Sequence, residues 1–148
     1  MIQFSILVDA PPGDTFETFT NLQRTPEILS DVVRVEVLDE GSIGAGTRFR
    51  ETRKMFGKEH SETLQFSEFD PGSGYTLSCT SCGCEFTSRF RFSSEGEGTR
   101  VQMDMESRPV TLFARIVTPF TGFMMRGSMR KAIEKDLLEL KQAAEAAG

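Results

Sequence analysis

The chain has 148 residues, of which 38% are hydrophobic and 26% charged, and a net charge of −5. These totals fit one domain over 1–148 that buries roughly two thirds of its unfolded surface, and they exclude disordered or collagen-like classes. Acids and bases are interspersed, so no basic face is offered to a phosphate backbone and nucleic acid is not an expected partner.

Near the start, Phe4, Ile6 and Val8 alternate with Gln3, Ser5 and Leu7, the period-2 pattern of a strand that the APPG turn ends. Asp14 stands three residues before Glu17, the spacing of a helix start, and Phe16 and Phe19 give this short helix an apolar face. Another short helical turn is expected from Pro26 to Leu29. From Val32 to Val101 the segments VVRVEVL, TRFRETRKM, EHSETLQFSEF, YTLSC, EFTSRFRFS and TRVQMDMES read as strands joined by short or glycine-rich turns, an antiparallel meander.

Beyond Pro109 the period becomes helical. Leu112, Phe113, Ile116, Val117, Phe120, Phe123 and Met124 share one face. After Gly127 the apolar positions are Met129, Ile133, Leu137 and Leu140, displaced by roughly a third of a turn. Pro119 lacks a backbone donor and is expected to kink this helix or start a new segment. The window PVTLFARIVTPFTGFMM is broken by Arg115 and Pro119 and is shorter than the roughly 20 residues of a membrane span. MIQFSILVDAPP lacks the basic and long apolar regions of a secretory signal, so a cytoplasmic protein without a transmembrane segment is expected.

One strand, short helices, a run of antiparallel strands and a long final helix is the order of an α+β helix-grip fold. The pieces VDAPPGDTFETFTN, TPEILSDVVRVEVLDEGSIGAGTRFRE, DPGSGYTL, GTRVQMDME and RKAIEKDLLELKQAAE resemble the START-like, birch-allergen-like (SRPBCC) superfamily, in its polyketide cyclase/dehydrase and lipid-transport branch. The resemblance covers nearly the whole chain, in hydrophobic pattern and turns rather than in a catalytic signature. It implies a curved sheet gripping the long helix, with an apolar cavity between them for a lipid, polyketide or similar molecule. Thirteen phenylalanines and seven methionines suit such a lining, and equally suit a filled core.

The expected ligand wall is Phe49, Leu64, Phe66, Leu77, Phe86 and Phe90 on the middle strands, Met103 and Met105 on the last strand, and Phe120 and Met124 on the helix. Strand parity puts Glu51 and Arg53 on the face of Phe49, and His60 and Glu62 on the face of Leu64 and Phe66. These four are the candidate catalytic residues: Glu and His transfer protons, and an Arg can orient a Glu or receive a ligand carboxylate. The competing reading is a solvated charge cluster at strand ends. No GxSxG, HExxH, P-loop or GxGxxG motif is present.

All three cysteines lie in CTSCGC, Cys79 to Cys84. A thiolate site completed by His60 stays open, but strand parity favours a hairpin with Cys79 and Cys84 as small core residues on facing strands. Ser81, Cys82 and Gly83 then form the turn, with the Cys82 thiol at the tip. No metal and no cofactor is expected.

Two functions fit. The first is a binding or carrier protein for a hydrophobic small molecule; the alternative is a cyclase/dehydrase-like enzyme using the cavity's proton carriers. The expected assembly is a monomer or weak homodimer, with Phe123 to Met129 as a surface for self-association or a partner.

Overall fold

The computed structural model describes residues 1–55, 57–81 and 83–147, with the side chains of 81 and 113–126 outside that description. Its elements are β1 (Ile2–Val8), α1 (Pro12–Thr20), α2 (Thr25–Ile28), β2 (Val32–Val37), β3 (Arg48–Met55), β4 (Lys58–Asp70), β5 (Gly74–Ser81), β6 (Cys84–Glu95), β7 (Gly98–Pro109) and α3 (Leu112–Ala147). The strands form one seven-stranded antiparallel sheet in the order β1-β7-β6-β5-β4-β3-β2. Because every neighbour except β1 and β7 is also next in sequence, short turns suffice, and the chain makes one long crossing from β1 to the far edge at β2. This is the expected helix-grip fold.

One sheet face is the inner one, turned toward the helices. Val8 of β1, Phe49 of β3, Phe66 of β4, Tyr75 of β5, Phe92 of β6 and Val101 of β7 form its buried row, joined by Phe16 and Phe19 of α1 and Leu137, Leu140 and Ala144 of α3. At this end the rings meet edge to face: Phe16 lies 5.4 Å from Phe69, 5.9 Å from Tyr75 and 5.3 Å from Phe92 between centroids. Phe66, only 1% exposed, meets Phe69 at 5.2 Å and Tyr75 at 5.6 Å. Such pairs add about 0.5–1.5 kcal/mol each to the burial of the rings.

Two details differ from the sequence reading, and a third is decided. Helix α1 begins two residues before Asp14, with Pro11 as its cap and no side-chain capping bond, because proline's fixed φ and missing donor suit a first turn. Of the two alternatives at Pro119, a new segment is not what forms: helix α3 is the expected long final helix, a single element through Pro119 and Gly127. The CTSCGC strands are longer than expected: Ser81 pairs with Cys84, leaving only positions 82 and 83 in the turn, with Gly83 at φ 77°. Cys79 pairs with Phe86, and Cys79 and Cys84 are half-buried rather than core residues; Cys82 lies outside the described residues. Among the described residues, no helix is long and apolar enough to cross a membrane.

Candidate functional site

Away from the aromatic end, toward the β3–β4 and β5–β6 hairpins, the inner face carries a different row. Strand register aligns Phe49 with Leu64, Glu51 with Glu62 and Arg53 with His60, so all four ionisable candidates lie on the inner side. Their surroundings separate them. Glu51 and Arg53 keep only 14% and 25% of their side chains exposed, whereas His60 is exposed. A solvated strand end therefore describes His60 and not the Glu51–Arg53 pair.

Arg53 is the centre of a three-residue network. Its Nε donates to Glu51 Oε1, and its Nη2 donates to Asp136 Oδ2 at 2.7 Å. Asp136 comes from α3, where Lys135 Nζ reaches Asp31 Oδ1 at 3.1 Å and Glu139 accepts from the Ser30 amide at 3.3 Å. These contacts bind one turn of the helix to the corner before β2 and hold Asp136 over β3. Burial opposes the charge on Arg53, but Glu51 and Asp136 outweigh it and raise its pKa. Burial raises the Asp136 pKa despite Arg53 beside it. The second oxygen of Asp136, Oδ1, is buried without a hydrogen-bond partner among the described residues.

Beside this network, Cys79 Sγ lies 3.9 Å from Glu62 Oε2. Burial, then the Glu62 carboxylate, pushes the Cys79 thiol up to about 11, so it stays protonated at neutral pH and is a poor nucleophile. Among the described residues no group of three His, Cys, Asp or Glu side chains is arranged to hold a metal ion.

Around these polar groups the described inner face is apolar and partly exposed. Leu64, Leu77, Phe86, Phe90 and Met105 are half-buried although they point inward, while Phe49, Phe66 and Met103 are fully buried. The expected wall is therefore graded: Phe49, Phe66 and Met103 are buried, Leu64, Leu77 and Phe90 are half-buried against the core cluster, and Phe86 and Met105 are half-buried beyond it. Phe120 and Met124 belong to α3, but their side chains lie outside the described residues. Ser88 sits in the middle of the half-covered row, opposite Leu77 on one side and Met105 on the other. Ser88 is the one small polar side chain between Phe86 and Phe90 on this face of β6.

Sequence reasoning missed two residues here, and both left a trace. Asp136 is three residues after Ile133 and four before Leu140, which places it on the buried stripe of the helix. Ser88 shares parity with Phe86 and Phe90. The expected role of Arg53 also changes: two of its donor nitrogens are engaged by Glu51 and Asp136, and the surrounding carboxylates make this a poor seat for a ligand carboxylate.

The fold has many counterparts among solved structures. TTHA0849 from Thermus thermophilus superposes with a TM-score of 0.76 at 21% identity, covering 99% of this chain and 98% of that one. The di-domain aromatase/cyclase StfQ from the steffimycin biosynthetic pathway gives 0.79 at 15% identity, covering 99% of this chain and 50% of that one. The ZhuI aromatase/cyclase from Streptomyces sp. R1128 gives 0.75 at 15% identity, covering 97% and 92%. At these identities the likeness is one of fold. A comparison with curated protein sequences finds no significant match. At the level of sequence families, residues 2–145 match polyketide cyclase/dehydrase and lipid transport, and the chain belongs to that family.

Proposed function

We propose that the protein binds and carries an uncharged hydrophobic small molecule, a lipid, polyketide or similar compound, between the half-covered inner face of β4 to β7 and α3. The observation that carries this reading is the row Leu64, Leu77, Ser88 and Met105, which points inward and yet keeps accessible surface. Apolar surface in that position gains roughly 25 cal/mol per Å² when a ligand covers it, before the costs of binding. Among the described residues of this wall Glu51 and Glu62 outnumber the Arg53 guanidinium even with Asp136 protonated, so a hydroxyl or carbonyl suits it better than an anionic head group.

Native mass spectrometry of freshly purified protein, set against its denatured mass, tests the proposal. An organic adduct, or uptake of uncharged apolar compounds in preference to fatty acids of equal length, is the expected result. A bare protein that takes up none of them overturns it.

One observation favours a second reading, a cyclase/dehydrase-like enzyme. Asp136 has a raised pKa and lies against Arg53, the setting of a proton donor to a carbonyl oxygen. The aromatase/cyclase neighbours share that fold. Replacing Asp136 with Asn separates the readings: a carrier keeps its affinity for bound compound, and an enzyme loses turnover of it.

A further inference from the structure

The two edges of the sheet are finished differently. At β1, Lys141 Nζ of α3 donates to the Leu7 carbonyl at 2.9 Å, and Glu145 accepts from the Asp9 amide at 2.8 Å, so the helix end caps that edge. At β2 no comparable cap exists among the described residues. The Leu38 amide donates to the Arg48 carbonyl at 2.9 Å, which fixes the alternation along the strand. Leu38, Glu36 and Arg34 turn their backbone groups toward β3, and Val37 and Val35 turn theirs outward. Val33 and Val37 are 43% and 42% exposed.

The sequence of this edge, Val33-Arg34-Val35-Glu36-Val37, is its own complement when read antiparallel about Val35. In that register Val35 meets Val35 of a second copy as a hydrogen-bonded pair, using the outward backbone groups. Arg34 then faces the other copy's Glu36 in the closer, non-bonded positions, twice by symmetry, and Val33 faces Val37. The outward backbone groups of Val35 and Val37, the Arg34 and Glu36 charges and the valine side chains all fit the same register, with Val33 at its bulged end. Within one chain, Arg34 lies 3.6 Å from Glu36 and donates to Glu59 at 3.2 Å, and all three side chains are about half exposed, so these surface pairs can exchange partners at little cost.

We propose that β2 is a self-association edge, through which two copies join their sheets by antiparallel pairing about Val35. The bulge between Val32 and Arg34 shortens the run, so the dimer is weak and concentration-dependent.

Sedimentation velocity of the full chain over a concentration series tests the proposal, using wild type, Arg34→Glu, Glu36→Arg and an equimolar mixture of the two variants. Wild type is expected to dimerise, each variant alone to do so about tenfold more weakly or worse, and the mixture to recover wild-type association as a heterodimer. Recovery on mixing also shows that neither variant is misfolded. A wild type that stays monomeric at its highest soluble concentration overturns the proposal. So does a mixture no stronger than the single variants.

Discussion

The two ends of the inner face are built from the same strands and solve different problems. At one end Phe16 and Phe19 of α1 pack on Phe69, Tyr75 and Phe92, and Phe66 joins the cluster through Phe69 and Tyr75. At the other, the side chains pointing inward are Glu51, Arg53, Glu62, Cys79 and a half-covered apolar row with Ser88 at its centre. The closed end holds the fold together. The other end is polar at one wall and half-buried apolar at the other, the mixture that the proposed small-molecule site would use.

The comparison breaks most visibly at the closed end. Phe66→Ala removes a ring with 1% exposure and three aromatic neighbours, and is expected to cost about 3–5 kcal/mol in chemical denaturation. A loss below about 1 kcal/mol would mean that this end is loosely packed too. Next in size, Arg53→Gln leaves Glu51 and Asp136 facing one another without a cation and is expected to cost about 2 kcal/mol at neutral pH, with part of the loss recovered in acid.

Ser88→Phe sharpens the contrast. In a filled core the added ring would cost about 1–3 kcal/mol; over an open row it is expected to cost under about 0.5 kcal/mol and to occupy the ligand's place. The smallest effect is that of pH on Asp136. Its folded pKa is raised above 3.8, so the folded state holds the proton more tightly than the unfolded chain. Ionised Asp136 therefore weakens the fold above that raised pKa, and the loss disappears as pH falls through it. Melting temperatures of wild type and Asp136→Asn, followed from about pH 7 to about pH 4, should converge or cross in favour of wild type as pH falls. Parallel curves would show that Asp136 is not held in its proton-binding state.

Much of this division was legible in the sequence, because strand parity needs only local pattern. The alternation of Phe49, Glu51 and Arg53, and of His60, Glu62, Leu64 and Phe66, placed the polar candidates on the inner face, and the register of β3 with β4 aligns them pairwise. What pattern did not carry was depth. Arg53 and His60 face each other across two strands, but Asp136 on a helix 83 positions away covers the first while the second stays exposed. Likewise a buried Phe66 and a half-buried Leu77 look alike in a string of letters, since what separates them is tertiary packing such as the ring cluster of Phe49, Phe69 and Tyr75 around Phe66. The bulge between Phe66 and Glu68 also shifts the parity of β4, turning Phe69 inward beside Phe66, where strict alternation would have put Glu68.

The central claim, that the half-buried end takes an uncharged apolar molecule, is tested most directly by titrating wild type and Ser88→Phe with the neutral fluorophore Nile red. Saturable binding by wild type, weakened at least about tenfold in a Ser88→Phe protein of unchanged stability, is the predicted result. Equal affinity in the two proteins, or no saturable binding by wild type, would contradict it.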